Sequence, residues 1–196
     1  MLGVRSLALV PNRARRFLIC LVGGWLMLVA VVLAITFQPR DGAPSLGASL
    51  PGLRLGQVAP DFVLDDTHGK AVHLATLRGR AVLLNFWSPT CPPCIKEMPA
   101  LQRASQEARQ AANGKTAPAV LGVVGTPDTA EAVAAFGRRV KVTYPLLLDS
   151  RLRVSLFDYH VSALPTSVLI DPKGRLRAVY LGPMTMAQMH EALDVP

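Results

Sequence analysis

From Gly56 onward the chain alternates short apolar runs with longer stretches of helical spacing. Asp61-Phe-Val-Leu64 and Ala71-Val-His-Leu74 flank the turn Asp65-Asp-Thr-His-Gly69, the pattern of a short β-hairpin. Ala81 to Trp87 is a continuous apolar run of strand length and predicts a buried strand. Pro92 to Ala112 repeats apolar residues at Ile95, Met98, Leu101, Ala104 and Ala108, which marks one face of a helix. Pro99 inside that helix predicts a kink. Pro118 to Gly125 predicts a second buried strand, and Asp128 to Arg139 a second helix capped by Thr126 or Asp128. Pro145 to Leu148 reads as a short apolar strand or loop, and Ser150 to Tyr159 as a short third helix. Ser167 to Ile170 and Leu176 to Leu181 are strands joined by the turn Asp171-Pro-Lys-Gly174. Met184 to Leu193, with Met186, Met189 and Leu193 at helical spacing, is a final helix. The order hairpin, βαβα, ββα predicts a three-layer α/β domain with a mixed sheet.

The N-terminal pattern is different. Phe17 to Phe37 contains no charged residue, and its twenty-one positions match the roughly 30 Å hydrocarbon core of a bilayer. Arg5, Arg13, Arg15 and Arg16 precede it, which sets the N-terminus inside and all that follows outside. A cleaved signal peptide would have a shorter apolar region ending in a small-x-small site, whereas this run ends Ala-Ile-Thr-Phe-Gln. The expected organisation is a cytoplasmic segment 1–16, a transmembrane signal-anchor 17–37, a Pro/Gly/Ser-rich flexible linker 38–55, and a globular domain 56–196. That organisation gives a single-pass protein of the inner membrane with its domain on the extracytoplasmic, periplasmic side.

The net charge of +8 changes little once it is located. Residues 1–54 hold six Lys/Arg against one acidic residue; residues 55–196 hold fifteen against twelve. Most of the excess is therefore topological, and no basic patch interleaved with aromatics points to nucleic acid.

The chemistry lies in the cysteines, of which there are three. Cys20 sits in the apolar run as a small hydrophobe. Cys91-Pro-Pro-Cys94 would close so short a loop that stapling explains it poorly. Metal and redox readings compete. A structural zinc needs four ligands, there is no second CxxC, and His68, His73, His160 and His190 are scattered, so the redox reading is preferred and no metal site is expected. With a strand ending at Trp87 and a helix starting at Pro92, Cys91 becomes the N-cap. There the free N–H groups and the helix dipole favour its thiolate. Cys91 then attacks, and Cys94, one turn in, resolves the mixed disulfide. Glu97 falls on the side of Cys94. It is either a partly buried acid that exchanges a proton with Cys94 or an ordinary first-turn acid complementing the dipole. Pro165, taken alone, is an X–Pro bond of no special weight.

Asn85-Phe-Trp-Ser-Pro-Thr-Cys-Pro-Pro-Cys-Ile-Lys-Glu-Met-Pro99 resembles the active-site segment of thioredoxin-like proteins, in particular the membrane-anchored TlpA/ResA-like thiol–disulfide oxidoreductases. Tyr159 to Gly174 resembles their cis-proline segment, and Ala59-Pro-Asp-Phe62 their opening. The resemblance spans Gly56 to Leu193. It implies a thioredoxin fold with an N-terminal hairpin and a βα insert, preceded by one transmembrane helix; the 71 residues from Cys94 to Pro165 suit that insert. It implies a cis Pro165 beside the disulfide, with the backbone around Leu164 pairing with substrate. Glu97 matches the acid these proteins place near the resolving cysteine. Cys91, Cys94, Glu97 and Pro165 are thus the expected catalytic residues, with Trp87, Pro92, Leu164 and Thr166 in contact with substrate. One departure stands out, since the family usually has Trp immediately before the first cysteine and this chain has Thr90. The implied activity needs no cofactor. It is reduction of disulfides in partner proteins, apocytochrome c cysteines among them, recharged by a transmembrane electron-donor protein. The alternatives are a disulfide-forming or isomerising enzyme, and a copper chaperone using both thiols and His160.

Overall fold

The computed structural model describes residues 50–112, 116–125 and 129–194, together with Trp25 and residues 27–29, which are helical. The expected anchor, apart from those four positions, and the linker up to residue 49 lie outside the described residues, as do Thr126 and Asp128. Among the described residues no helix is long and apolar enough to cross a membrane. The chain divides into units Met1–Gly42 and Ala43–Pro196; the second carries the fold below.

A two-stranded hairpin comes first, β1 (Val63–Asp65) against β2 (Ala71–His73), with Val63 opposite His73. The Asp66 carboxylate accepts the N–H groups of His68 and Lys70 at 2.8 and 2.9 Å, and Gly69 takes φ +75° where the chain reverses. The main sheet has the order β5-β4-β3-β6-β7. Its strands are β3 (Val82–Trp87), β4 (Ala119–Val124), β5 (Leu146–Leu148), β6 (Thr166–Ile170) and β7 (Leu176–Leu181). β4 runs parallel to β3 and β5, whereas β6 is antiparallel to β3 and β7. The helices are α1 (Pro92–Ala111), α2 (Ala130–Val140) and α3 (Met186–Leu193).

All six β3 residues are buried, and the pleat divides them between two cores. Val82, Leu84 and Phe86 face the hairpin and Tyr159. Leu83 and Trp87 face the helices, where Met98, Leu101 and Ala104 of α1 are fully buried. Ile95 and Ala108, expected in that stripe, are half-buried at its edges. The hairpin is held down by Tyr159, whose ring meets Phe62 and Phe86 and whose hydroxyl donates to the Pro60 carbonyl at 2.8 Å. The expected thioredoxin-like architecture is therefore present in the domain.

Two local expectations are corrected. The third helix expected over Ser150–Tyr159 is a π-helical turn, Arg153–Asp158. Its cause is the buried Asp149 carboxylate, which accepts the Val154 N–H at 3.3 Å and both the N–H and hydroxyl of Ser155 at 2.7 Å. Leu152, at φ +55°, turns the chain into it. The second helix starts later than its apolar rhythm suggested. Thr129 is its N-cap, with its hydroxyl accepting the Ala132 N–H at 3.2 Å.

The register brings two loops together. Phe86 pairs with Thr166, so the C-terminal end of β3, which leads to Cys91, lies beside the N-terminal end of β6, which follows Pro165.

Candidate active site

Cys91 is the N-cap of α1, with extended backbone at φ −99°, and Pro92 and Pro93 fill the first helical positions. Proline has no N–H to leave unpaired there and its φ is already helical. The free Cys94 N–H points back at the Cys91 sulfur, at 3.3 Å. The two sulfurs are joined in a disulfide, with the Cα atoms 5.3 Å apart. The pair is unequal: Cys91 is half-buried, whereas Cys94 is 1% exposed. Only Cys91 is open to attack from solvent.

The approach to Cys91 is shaped by Ser88, which sequence reasoning passed over. Its carbonyl accepts the Cys91 N–H at 3.1 Å, and its side-chain oxygen accepts the Thr90 N–H at 3.2 Å. The Ser-Pro pair just after a strand was the available signal for such a turn. Thr90 itself is exposed, and its hydroxyl sits 2.9 Å from that of Ser88. A small polar group thus stands at the position where the resemblance led to an expected tryptophan.

Glu97 lies one turn beyond Cys94 on the buried side of α1 and is 5% exposed. One carboxylate oxygen accepts the Met184 N–H at 3.1 Å; the other has no partner among the described residues. Burial pushes its pKa up to about 7, against a smaller lowering by the Met184 hydrogen bond. A carboxyl poised there exchanges its proton near neutral pH, unlike an exposed first-turn acid.

The Leu164–Pro165 peptide bond is cis. Pro165 is buried, and its carbonyl accepts the Gly182 N–H at 2.9 Å, which fixes the loop to the end of β7. Leu164 is 40% exposed. Beside it runs a groove of about 300 Å³ lined by Gly125, Leu156, Val161, Ala163 and Leu164. Pro92 is exposed beside Cys91.

Two of the residues expected to contact substrate are buried. Trp87 is 0% exposed, and its ring stacks on Phe136 of α2 with centroids 5.1 Å apart. The pleat of β3 turns it inward, to the face that carries Leu83. Thr166 is equally buried; its hydroxyl donates to the Ala163 carbonyl at 2.8 Å and so braces the proline loop from inside. His160, the third ligand of the copper reading, is exposed, and its ring lies against Gly52. Among the described residues no group of three His, Cys, Asp or Glu side chains gathers as a metal site.

A model of the AhpC/TSA family matches residues 55–179. The thiol-disulfide oxidoreductase ResA of Bacillus subtilis is 37% identical over 140 residues, covering 71% of this chain and 74% of that protein. The thioredoxin-like protein YneN of the same organism is 29% identical over 171 residues, covering 87% of this chain and 97% of that one. The crystal structure of StoA from Bacillus subtilis matches with a TM-score of 0.58 and 27% identity, over 69% of this chain and 98% of that chain.

Proposed function

The chain belongs to the AhpC/TSA family of thioredoxin-like proteins and is a thiol–disulfide oxidoreductase, and from that premise we propose that it is a membrane-anchored, extracytoplasmic reductase of partner-protein disulfides. The observation that carries the exchange chemistry is the unequal pair at the head of α1: Cys91 accessible at the N-cap, Cys94 buried one turn in.

In the reductive direction the Cys91 thiolate attacks one sulfur of a substrate disulfide. A mixed disulfide forms, and the other substrate sulfur leaves as a thiolate and takes a proton. Cys94 then loses its proton and attacks the Cys91 sulfur. The second substrate thiol is released, and the Cys91–Cys94 disulfide closes. Two electrons pass from the dithiol to the substrate, and a further dithiol must return them. Glu97, on the Cys94 side and with a pKa of about 7, is the group suited to take the Cys94 proton. The exposed Leu164 and the groove beside it give an extended substrate chain a place to lie.

The apolar run 17–37 supports a site of action at the membrane, where a transmembrane donor protein would recharge the dithiol. Cysteines of apocytochrome c, which must be reduced before haem attachment, are the proposed class of substrate. The reduction potential tests the direction. Within the range of about −270 to −120 mV spanned by thioredoxin and the oxidant DsbA, a value near the negative end is expected. One near the oxidising end overturns the reductase reading in favour of disulfide formation.

A further inference from the structure

The loop that leads Cys91 into α1 presents no free backbone donor. Pro89, Pro92 and Pro93 have no N–H. The Ser88 carbonyl accepts the Cys91 N–H at 3.1 Å, and the Ser88 side-chain oxygen accepts the Thr90 N–H at 3.2 Å. The Cys94 N–H points at the Cys91 sulfur at 3.3 Å. From residue 89 to residue 94, every backbone N–H is therefore absent or engaged. A substrate chain that reaches Cys91 brings peptide carbonyls out of water, and an unpaired one weakens its binding. Any donor this loop offers it must come from a side chain.

Two hydroxyls stand there, those of Ser88 and Thr90, with their oxygens 2.9 Å apart. Ser88 is 4% exposed, whereas Thr90 is exposed. Each carries one proton, and burial decides which of them donates to the other. Were Thr90 the donor, the buried Ser88 proton would have no acceptor among the described residues. An exposed Thr90 proton meets no such penalty, because solvent takes it. Ser88 therefore donates to the Thr90 oxygen. The Thr90 proton stays free, one residue before the accessible sulfur. Accepting from Ser88 also polarises the Thr90 hydroxyl and strengthens it as a donor.

We propose that Thr90 is a specificity-determining residue: its hydroxyl, oriented by Ser88, donates to a backbone carbonyl of the substrate beside the disulfide that Cys91 attacks. The substrate class it selects is a polypeptide disulfide, whose half-cystines carry peptide carbonyls, over a small disulfide that has none. The inference rests on the exchange reading for the attack itself and adds what the substrate must present. It also gives a role to the departure at position 90. A tryptophan would offer a broad, largely apolar surface, whereas threonine offers one directional donor held by a buried neighbour.

The test is single-turnover oxidation of the reduced full-length protein by an oxidised Cys-x-x-Cys-His peptide and by bis(2-hydroxyethyl) disulfide. The readout is the ratio of the two second-order rate constants, peptide over small disulfide. Thr90→Val keeps the shape and removes the hydroxyl, and the ratio is expected to fall about fivefold, the size of one net hydrogen bond. Thr90→Ser keeps the hydroxyl and should hold the ratio near wild type. Ser88→Ala removes the bond that orients it and should lower the ratio too, with no further loss when combined with Thr90→Val. A further loss in the double variant overturns the role given to Ser88. The two Thr90 variants remain decisive if Ser88→Ala does not fold. A fall of less than about twofold in Thr90→Val, or an equal fall in Thr90→Ser, overturns the proposal. A wild-type protein that reacts with neither disulfide overturns the exchange reading as well, so the two failures are distinct.

Discussion

Glu97 decides most at the scale of single residues. Its folded pKa of about 7 stands above the ordinary 4.5. Between those values the folded chain holds more protons than the unfolded one, so stability falls as pH rises through that window. The full effect is at most about 3 kcal/mol. Glu97→Gln keeps an acceptor for the Met184 N–H and removes the titration. Its unfolding free energy is expected to be nearly flat from pH 4.5 to 7, where wild type declines; equal slopes in the two proteins would show that the carboxyl is not held up by burial. Cys91 and Cys94 were legible at this scale because their chemistry depends on local spacing and a proline-started helix. The buried state of Glu97 was half legible, since a helical wheel gives its side but not the depth of its packing. Trp87 and Thr166, expected as substrate contacts, are both buried. Proximity to the motif in sequence says nothing about which pleat face a strand residue takes.

At the scale of elements, the apolar rhythms located the strands and the three α-helices among the described residues of the domain, with ends displaced by a few residues, but not the 3-10 turn Leu74–Leu77. The π-helical turn was beyond them, because its form comes from one buried carboxylate reaching forward five and six residues. Asp149→Ala strips the acceptor from Val154 and Ser155 and should destabilise the domain by about 2–4 kcal/mol in urea unfolding. A loss below 1 kcal/mol would mean that packing alone shapes the turn. Thr129→Ala removes only an exposed N-cap and is expected to cost about 1 kcal/mol, with exchange activity unchanged. The contrast between the two separates a turn built from the core from a cap at the surface.

At the scale of the whole molecule, the thioredoxin-like domain carries the exchange site, and residues 17–37 are its proposed membrane attachment. Membranes washed in alkaline carbonate should retain the full-length protein; its release into the supernatant would remove the anchor from the account. The resemblance supplied the cis Pro165 and the insert, both of which the residues alone left open. It could not supply a substrate preference where Thr90 replaces the expected aromatic. The central claim is that Cys91 attacks partner disulfides and Cys94 releases them. Its most direct test is capture of mixed disulfides in cells by full-length Cys94→Ala, with Cys91→Ala as the comparison. Partners linked to Cys91 are expected in the first variant, released by reductant and absent from the second. An absence of linked partners in Cys94→Ala, or the same partners captured through Cys94 in Cys91→Ala, would contradict it.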